Sequence, residues 1–199
     1  SKIKSSFLFL ICFVPLFIGF ILPITELTLW AFESKSSFFS QKFIQTSFNS
    51  ISLAITAGLV TAILAVIINF SIRFKPSSFI QRLSSLLSVG YAVPGLILAV
   101  GMVQLLVYLD NNVLNSVDVV LTGSLYGLLL AYIIKTYALA NSSVESGYER
   151  ITSSMDDSSK LLGASGWSML IRVHSPLLRT SFLTAILLVI SEVVKELPA

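Results

Sequence analysis

Along the chain, long apolar stretches alternate with short polar ones, over residues 7–30, 51–72, 86–109, 119–140 and 176–199. Each reaches the roughly 20 residues that an α-helix needs to cross a bilayer. The polar segment 141–175 interrupts the series. Within it Val144, Tyr148, Ile151, Met155 and Leu162 recur at helical spacing. Glu145, Glu149, Arg150, Asp156 and Lys160 take the opposite face, which predicts one amphipathic helix over 144–162 with a wet side. Gly163-Ala164-Ser165-Gly166 ends it, two glycines supplying a C-terminal cap and a tight turn. A second short helix is expected over 167–173, and Pro176 then opens the last apolar span from its first turn. Helix, glycine turn, helix, proline, span: the segment reads as an elbow outside the bilayer that docks onto something.

Composition supports membrane residence. Of 199 residues 55% are hydrophobic and 12% charged, about half the charge of a typical soluble domain. The first span carries Pro15 and Pro23, which neighbouring helices can accommodate. It is longer than a signal-peptide core and lacks a small-residue cleavage site, so it is expected to be retained. A polar loop is expected from Glu33 to Asn49, and a kink at Pro94-Gly95 in the third span. Gly123 and Gly127 suggest a small-residue packing face. The one cysteine, Cys12, excludes an intramolecular disulfide and is expected to be a small buried hydrophobe. Lys135 is expected to snorkel near the inner end of the fourth span.

Orientation follows from lysine and arginine. With the N-terminus in the cytoplasm, Lys2, Lys4, Arg73, Lys75, Arg82, Lys135, Arg150, Lys160, Arg172 and Arg179 all lie inside. Lys35 and Lys42 remain outside, so the bias is strongly positive-inside, and the elbow is cytoplasmic.

The elbow also carries a spaced pattern. Asp157-Ser158-Ser159, three residues, Gly163, nine residues, then Val173-His174-Ser175-Pro176 resembles the EAA loop of binding-protein-dependent ABC importer permeases. There the pattern reads Glu-Ala-Ala, three residues, Gly, nine residues, Ile-x-Leu-Pro. Gly163 and Pro176 match, Val173 replaces Ile, and Asp157 keeps a shortened carboxylate; Ser158, Ser159 and Ser175 depart from the pattern. Gly90-Tyr91-Ala92-Val93-Pro94-Gly95 and Lys195-Glu196-Leu197-Pro198-Ala199 resemble the ferric-iron branch, and the likeness is closest to the C-terminal half of a tandem permease.

The resemblance implies an all-α, polytopic membrane helix bundle of the MetI-like type over residues 1–199. Five spans of an expected six would be present, the chain being a piece that stops within its fifth helix. It implies the bacterial inner membrane, coupling to an ATPase through Asp157, Ser158, Ser159, Gly163, Val173 and Pro176, and no catalysis by the chain itself. Expected partners are a cytoplasmic ABC ATPase dimer, a periplasmic or extracellular solute-binding protein, a second permease half and the lipid bilayer. Neither a cofactor nor nucleic acid is expected. The solute would be ferric iron, with thiamine or sulfate as alternatives within the class. An ion-coupled secondary transporter is the alternative outside it, and that reading requires charge buried at mid-span.

Glu192, Lys195 and Glu196 share a helical face near the outer end of the fifth span. They are candidates for the solute pathway, together with Tyr91, or else form an ion pair that locks helices. His174, the sole histidine, lacks the partners of a metal site and is expected at the surface of the elbow. Trp167 is expected as an interfacial anchor. No phosphate-cradling G-x-x-x-x-G-K-[ST] loop occurs, so ATP hydrolysis would belong to a partner.

Overall fold

The computed structural model describes residues 10–33, 40–113 and 120–196. Lys2, Lys4, Lys35, Asp118 and the closing Leu197-Pro198-Ala199 lie outside them. Among the described residues every regular element is a helix, and there is no strand. The helices are α1 Leu10–Glu33, α2 Gln41–Phe74, α3 Ser78–Val89, α4 Gly95–Asn112, α5 Leu125–Glu149, α6 Ser153–Leu161 and α7 Gly166–Lys195. The chain divides into two compact units, Ser1–Asn49 and Ser50–Ala199.

Among the described residues, four helices are long and apolar enough to cross a membrane: α1, α2, α4 and α7. The predicted fourth span, 119–140, corresponds to α5, which is not one of them. Its polar positions explain why. Tyr132, Lys135, Thr136 and Tyr137 are all buried, so α5 spends its polar side chains on the interior of the second unit rather than on lipid. Other boundaries also move. Helix α2 begins at Gln41, inside the expected polar loop, and the second span of 51–72 is its central part. Helix α5 runs on to Glu149, into the segment expected to be elbow.

In the first unit, α1 has no buried residue in its described part, and Cys12 is exposed rather than buried. Its Pro23 follows a π-helical turn, Phe17–Ile21, in which the Leu22 amide bonds the Phe17 carbonyl. A proline ring collides with the carbonyl four residues before it. Widening the preceding turn by one residue moves that carbonyl aside. The chain uses the same device again in α7.

The second unit is built on close helix contact. Ala54, Ala57, Gly58, Thr61, Ala62 and Ala65 form a buried small-residue stripe on α2. It lets α7 approach so closely that a Cβ at Gly58 would lie 3.2 Å from the Ile186 carbonyl oxygen. Val144, Leu178, Ala185 and Val189 fill the core between α5 and α7. A polar chain crosses it: the Tyr137 hydroxyl donates to Asn141 Oδ1 at 3.2 Å. That leaves the Tyr137 oxygen to accept from Ser84 at 3.0 Å. Asn69 Nδ2 donates to the same Asn141 oxygen at 2.8 Å, tying α2, α3 and α5 together. Asp110 at the end of α4 accepts from the Leu121 and Thr122 amides at 2.9 Å each, which fixes the entry to α5. Gly123 lies in that turn with φ +73° and not on a helix face; Gly127 alone packs closely, against Leu121 and Leu106.

The expected kink in the third span is a complete break. Helix α3 stops at Val89, Gly90–Ala92 forms a 3₁₀ turn, Val93 and Pro94 are extended, and α4 starts afresh at Gly95. The third crossing thus begins at Gly95, not near residue 86. The break sits against the middle of α5, where a Cβ at Gly90 would be 2.4 Å from the Ile134 carbonyl oxygen.

Candidate functional site

Two polar clusters stand out, one at the elbow and one at the break between α3 and α4.

The elbow differs from its sequence pattern in three ways. The amphipathic helix expected over 144–162 is two helices, because the chain turns at residues 150–152 between α5 and α6. The face assignment holds for Val144, Tyr148 and Ile151, which are buried, and reverses in α6. There Asp156 and Ser159 are the only buried residues, while Met155 is 45%, Leu161 90% and Leu162 88% exposed. Lastly, the second short helix and the fifth span are a single helix, α7. Pro176 does not open it. The π-helical turn Leu170–His174 precedes the proline, the Ser175 amide bonding the Leu170 carbonyl, and helix continues on both sides.

The glycine turn is as expected. Gly163 has φ +85° and Gly166 φ +50°. The Ala164 amide bonds the Ser159 carbonyl and the Gly163 amide bonds the Lys160 carbonyl, each at 2.9 Å. This pair of bonds is the Schellman cap, which requires a left-handed residue after the helix. Ser165 and Ser168 then exchange bonds as a capping box at the start of α7.

Behind α6 lies a buried charge cluster that sequence spacing does not reveal. Arg73, in the last turn of α2, donates from Nε to Asp156 Oδ2 at 2.7 Å. Its other nitrogens donate to the Tyr148 carbonyl at 3.2 Å and the Ile151 carbonyl at 2.6 Å. His174, fully buried rather than at the surface, bonds Asp156 Oδ1 through Nε2 at 3.0 Å. A carboxylate can only accept, so Nε2 carries the proton. Nδ1 is buried without a partner, and the neutral tautomer leaves only an acceptor unmet there. The rings of Phe70, Phe74 and Tyr148 surround the imidazole at centroid distances of 5.6, 5.3 and 5.5 Å. Burial pushes the Tyr148 phenol far above its ordinary range, so it stays neutral beside Asp156.

The coupling residues expected from sequence separate by exposure. Asp157 faces outward and pairs with Lys160 at 3.0 Å, an exposed i,i+3 contact on α6 itself. Ser158 is exposed, Ser159 is buried with its hydroxyl on the Met155 carbonyl at 2.7 Å, Val173 is half-buried and Pro176 exposed. Trp167 is 65% exposed.

The second cluster gathers two of the four candidate pathway residues, Tyr91 and Glu196. Lys135 does not snorkel. It is 8% exposed, donates to the Val93 carbonyl at 2.7 Å and stands 3.9 Å from Glu196 Oε1. Its ammonium lies 6.0 Å from the centre of the Tyr91 ring. Glu196 leaves the helix at the C-cap of α7 and reaches the start of α4, near Gly95. Glu192 pairs instead with Lys195 at 2.7 Å along α7. Tyr91 and Glu196 thus meet through Lys135, a residue absent from the expected set. Among the described residues no group of three or more His, Cys, Asp or Glu could hold a metal ion.

No model of a known protein family matches the chain, and no curated protein matches it.

Proposed function

We infer that the chain is a membrane-embedded permease subunit of an ATP-driven, binding-protein-dependent ABC importer, of MetI-like fold, in a bacterial inner membrane. In this reading α6 is the coupling helix, seated in a groove of a cytoplasmic ATPase. A binding protein delivers the solute on the opposite side, and a second permease half completes the pathway. The observation that supports it is the outward apolar edge of α6. Leu161 and Leu162 are about nine-tenths exposed on a helix whose inner face is charged. Contiguous exposed apolar side chains rimmed by polar ones mark a surface made for a protein partner. A helix lying on headgroups would accept the same face, but it would have no use for a buried Arg73–Asp156–His174 anchor at its back. Ferric iron is the proposed solute, with Glu192 and Glu196 as hard oxygen donors near the far end of α7.

Purification through a tag on this chain should bring down an ATP-hydrolysing subunit, and vesicles should take up radiolabelled ferric iron with ATP. Gly163→Trp, which cannot adopt φ +85° without strain, should still insert but lose both. Normal ATP-driven uptake by that variant would sink the reading.

One observation favours a second reading, an ion-coupled secondary transporter. Lys135 is buried near the middle of α5 beside a broken helix, the arrangement used where discontinuous helices bind solute. Uptake that persists without ATP and collapses with an ionophore would select it.

A further inference from the structure

Helix α6 is held to the rest of the chain by very little. Asp156 and Ser159 are its only buried residues, and Ser159 spends its hydroxyl on α6 itself. Of the other side chains, Lys160 places its ammonium 5.9 Å from the centre of the Phe74 ring. The strong attachment is the Asp156 carboxylate, with one oxygen on α2 through Arg73 and the other on α7 through His174. Arg73 also holds the carbonyls that end α5 and begin the link to α6. Three helices therefore meet at one carboxylate, and Arg73 ties in the end of a fourth, α5.

Displacement of α6 from outside has two routes inward: the backbone links at either end, and this carboxylate. The backbone links are poor levers. One is the short turn at 150–152, the other a glycine turn in which Gly163 and Gly166 both take left-handed backbone. The side-chain route is stiff. Arg73 is a planar fork with three acceptors in fixed directions. His174 has no room to turn among Phe70, Phe74 and Tyr148. It also belongs to α7, so a push on its ring is a push on that helix.

We propose that Arg73, Asp156 and His174 form the joint through which α6 drives α2 and α7 together, and that they are positioning residues for coupling rather than contacts for solute or nucleotide. The proposal rests on the importer reading. A transporter with a broken joint still binds its ATPase through Met155, Leu161 and Leu162, still hydrolyses ATP, and moves little solute. Folding alone does not require this arrangement, because a buried ion pair is commonly no more stabilising than an apolar contact of the same volume.

The test uses the complex purified through a tag on this chain and reconstituted in vesicles, with radiolabelled ferric iron on its binding protein as the probe. Absence of any ATPase from the wild-type complex overturns the importer reading itself, and the joint with it. Given the ATPase, Asp156→Asn and Arg73→Lys should assemble, retain hydrolysis and lower iron transported per ATP by roughly tenfold, a size common for coupling mutations. Arg73→Lys keeps the charge and loses the fork, so it carries the test alone if Asp156→Asn does not insert. A wild-type ratio of iron to ATP in either assembled variant overturns the joint and leaves the importer reading standing. Failure of both to assemble also overturns it, since the residues would then serve folding alone.

Discussion

Gly90→Ala isolates the closest helix contact in the second unit. Gly90 has φ −54° and ψ −31°, ordinary right-handed backbone, so alanine meets no conformational penalty there. What it meets is α5. The new Cβ would lie 2.4 Å from the Ile134 carbonyl oxygen and 2.9 Å from Ile134 Cγ2, where ordinary contact begins at 3.4 Å. The two helices must separate by roughly 1 Å, and a backbone carbonyl cannot rotate away as a side chain would. Overpacking of this kind costs about 1–3 kcal/mol. Replacing glycine returns about 0.4–1 kcal/mol by restricting the unfolded chain. The net expectation is a loss of about 1–2 kcal/mol, or about 3–6 °C in Tm for a chain of this size. Thermal unfolding of the purified protein in mild detergent, followed by circular dichroism, measures it. Gly101→Ala is the control: it lies inside α4 with nothing within 4 Å of the added Cβ, and should raise stability slightly. A Gly90→Ala protein as stable as wild type, or an equal fall for Gly101→Ala, would refute the close approach of the break to α5.

Further outcomes follow from the same geometry. Leu161→Asp with Leu162→Asp should leave stability within about 0.5 kcal/mol, because both side chains are exposed, yet abolish capture of an ATPase by the tagged chain in pull-down. Lys135→Met removes the donor to the Val93 carbonyl and strands Glu196. A loss of about 2–4 kcal/mol is expected in thermal unfolding, partly recovered when Glu196→Gln is added; no recovery would show that the two do not interact. Glu192→Gln should weaken iron uptake if that carboxylate serves solute, and unchanged uptake kinetics would leave it as a partner of Lys195 alone.

The helical, membrane-spanning character was legible because apolar length is a physical requirement of the bilayer and needs no partner to be read. The Gly163–Gly166 turn was legible for a similar reason: left-handed backbone selects glycine locally. What sequence periodicity could not supply was which way α6 faces. The rule that an amphipathic helix buries its apolar side assumes that its own chain offers an apolar bed. Here the bed is Arg73 and His174, contributed by residues 83 and 18 positions away from Asp156. No spacing rule joins them, and Asp156 accordingly read as part of the wet face. Lys135 was misplaced for a related reason. Its snorkelling follows only if no acceptor lies nearby, and the break at Pro94 provides one in the Val93 carbonyl. A cue was present in both cases: a lone histidine, and a lysine within an apolar span, are costly unless satisfied.

In the importer reading, the continuity of α7 gives the elbow a mechanical meaning. Had Pro176 begun a new helix, the segment before it would have been a separate piece hinged to the membrane, and movement at the elbow would be lost in the hinge. The π turn removes that hinge. By shifting the Ser175 amide onto Leu170, it makes room for the proline ring and keeps 30 residues, Gly166 to Lys195, in one helical rod. Trp167 and Ile171 at the elbow, His174 at the charge cluster and Glu192 near the far end therefore stand on one continuous helix. The same rod ends beside Lys135 and the start of α4, so in the importer reading a rotation at the elbow would bear on the break through Glu196. A helix built to be locally flexible would not spend a rare turn type on staying continuous across its own proline.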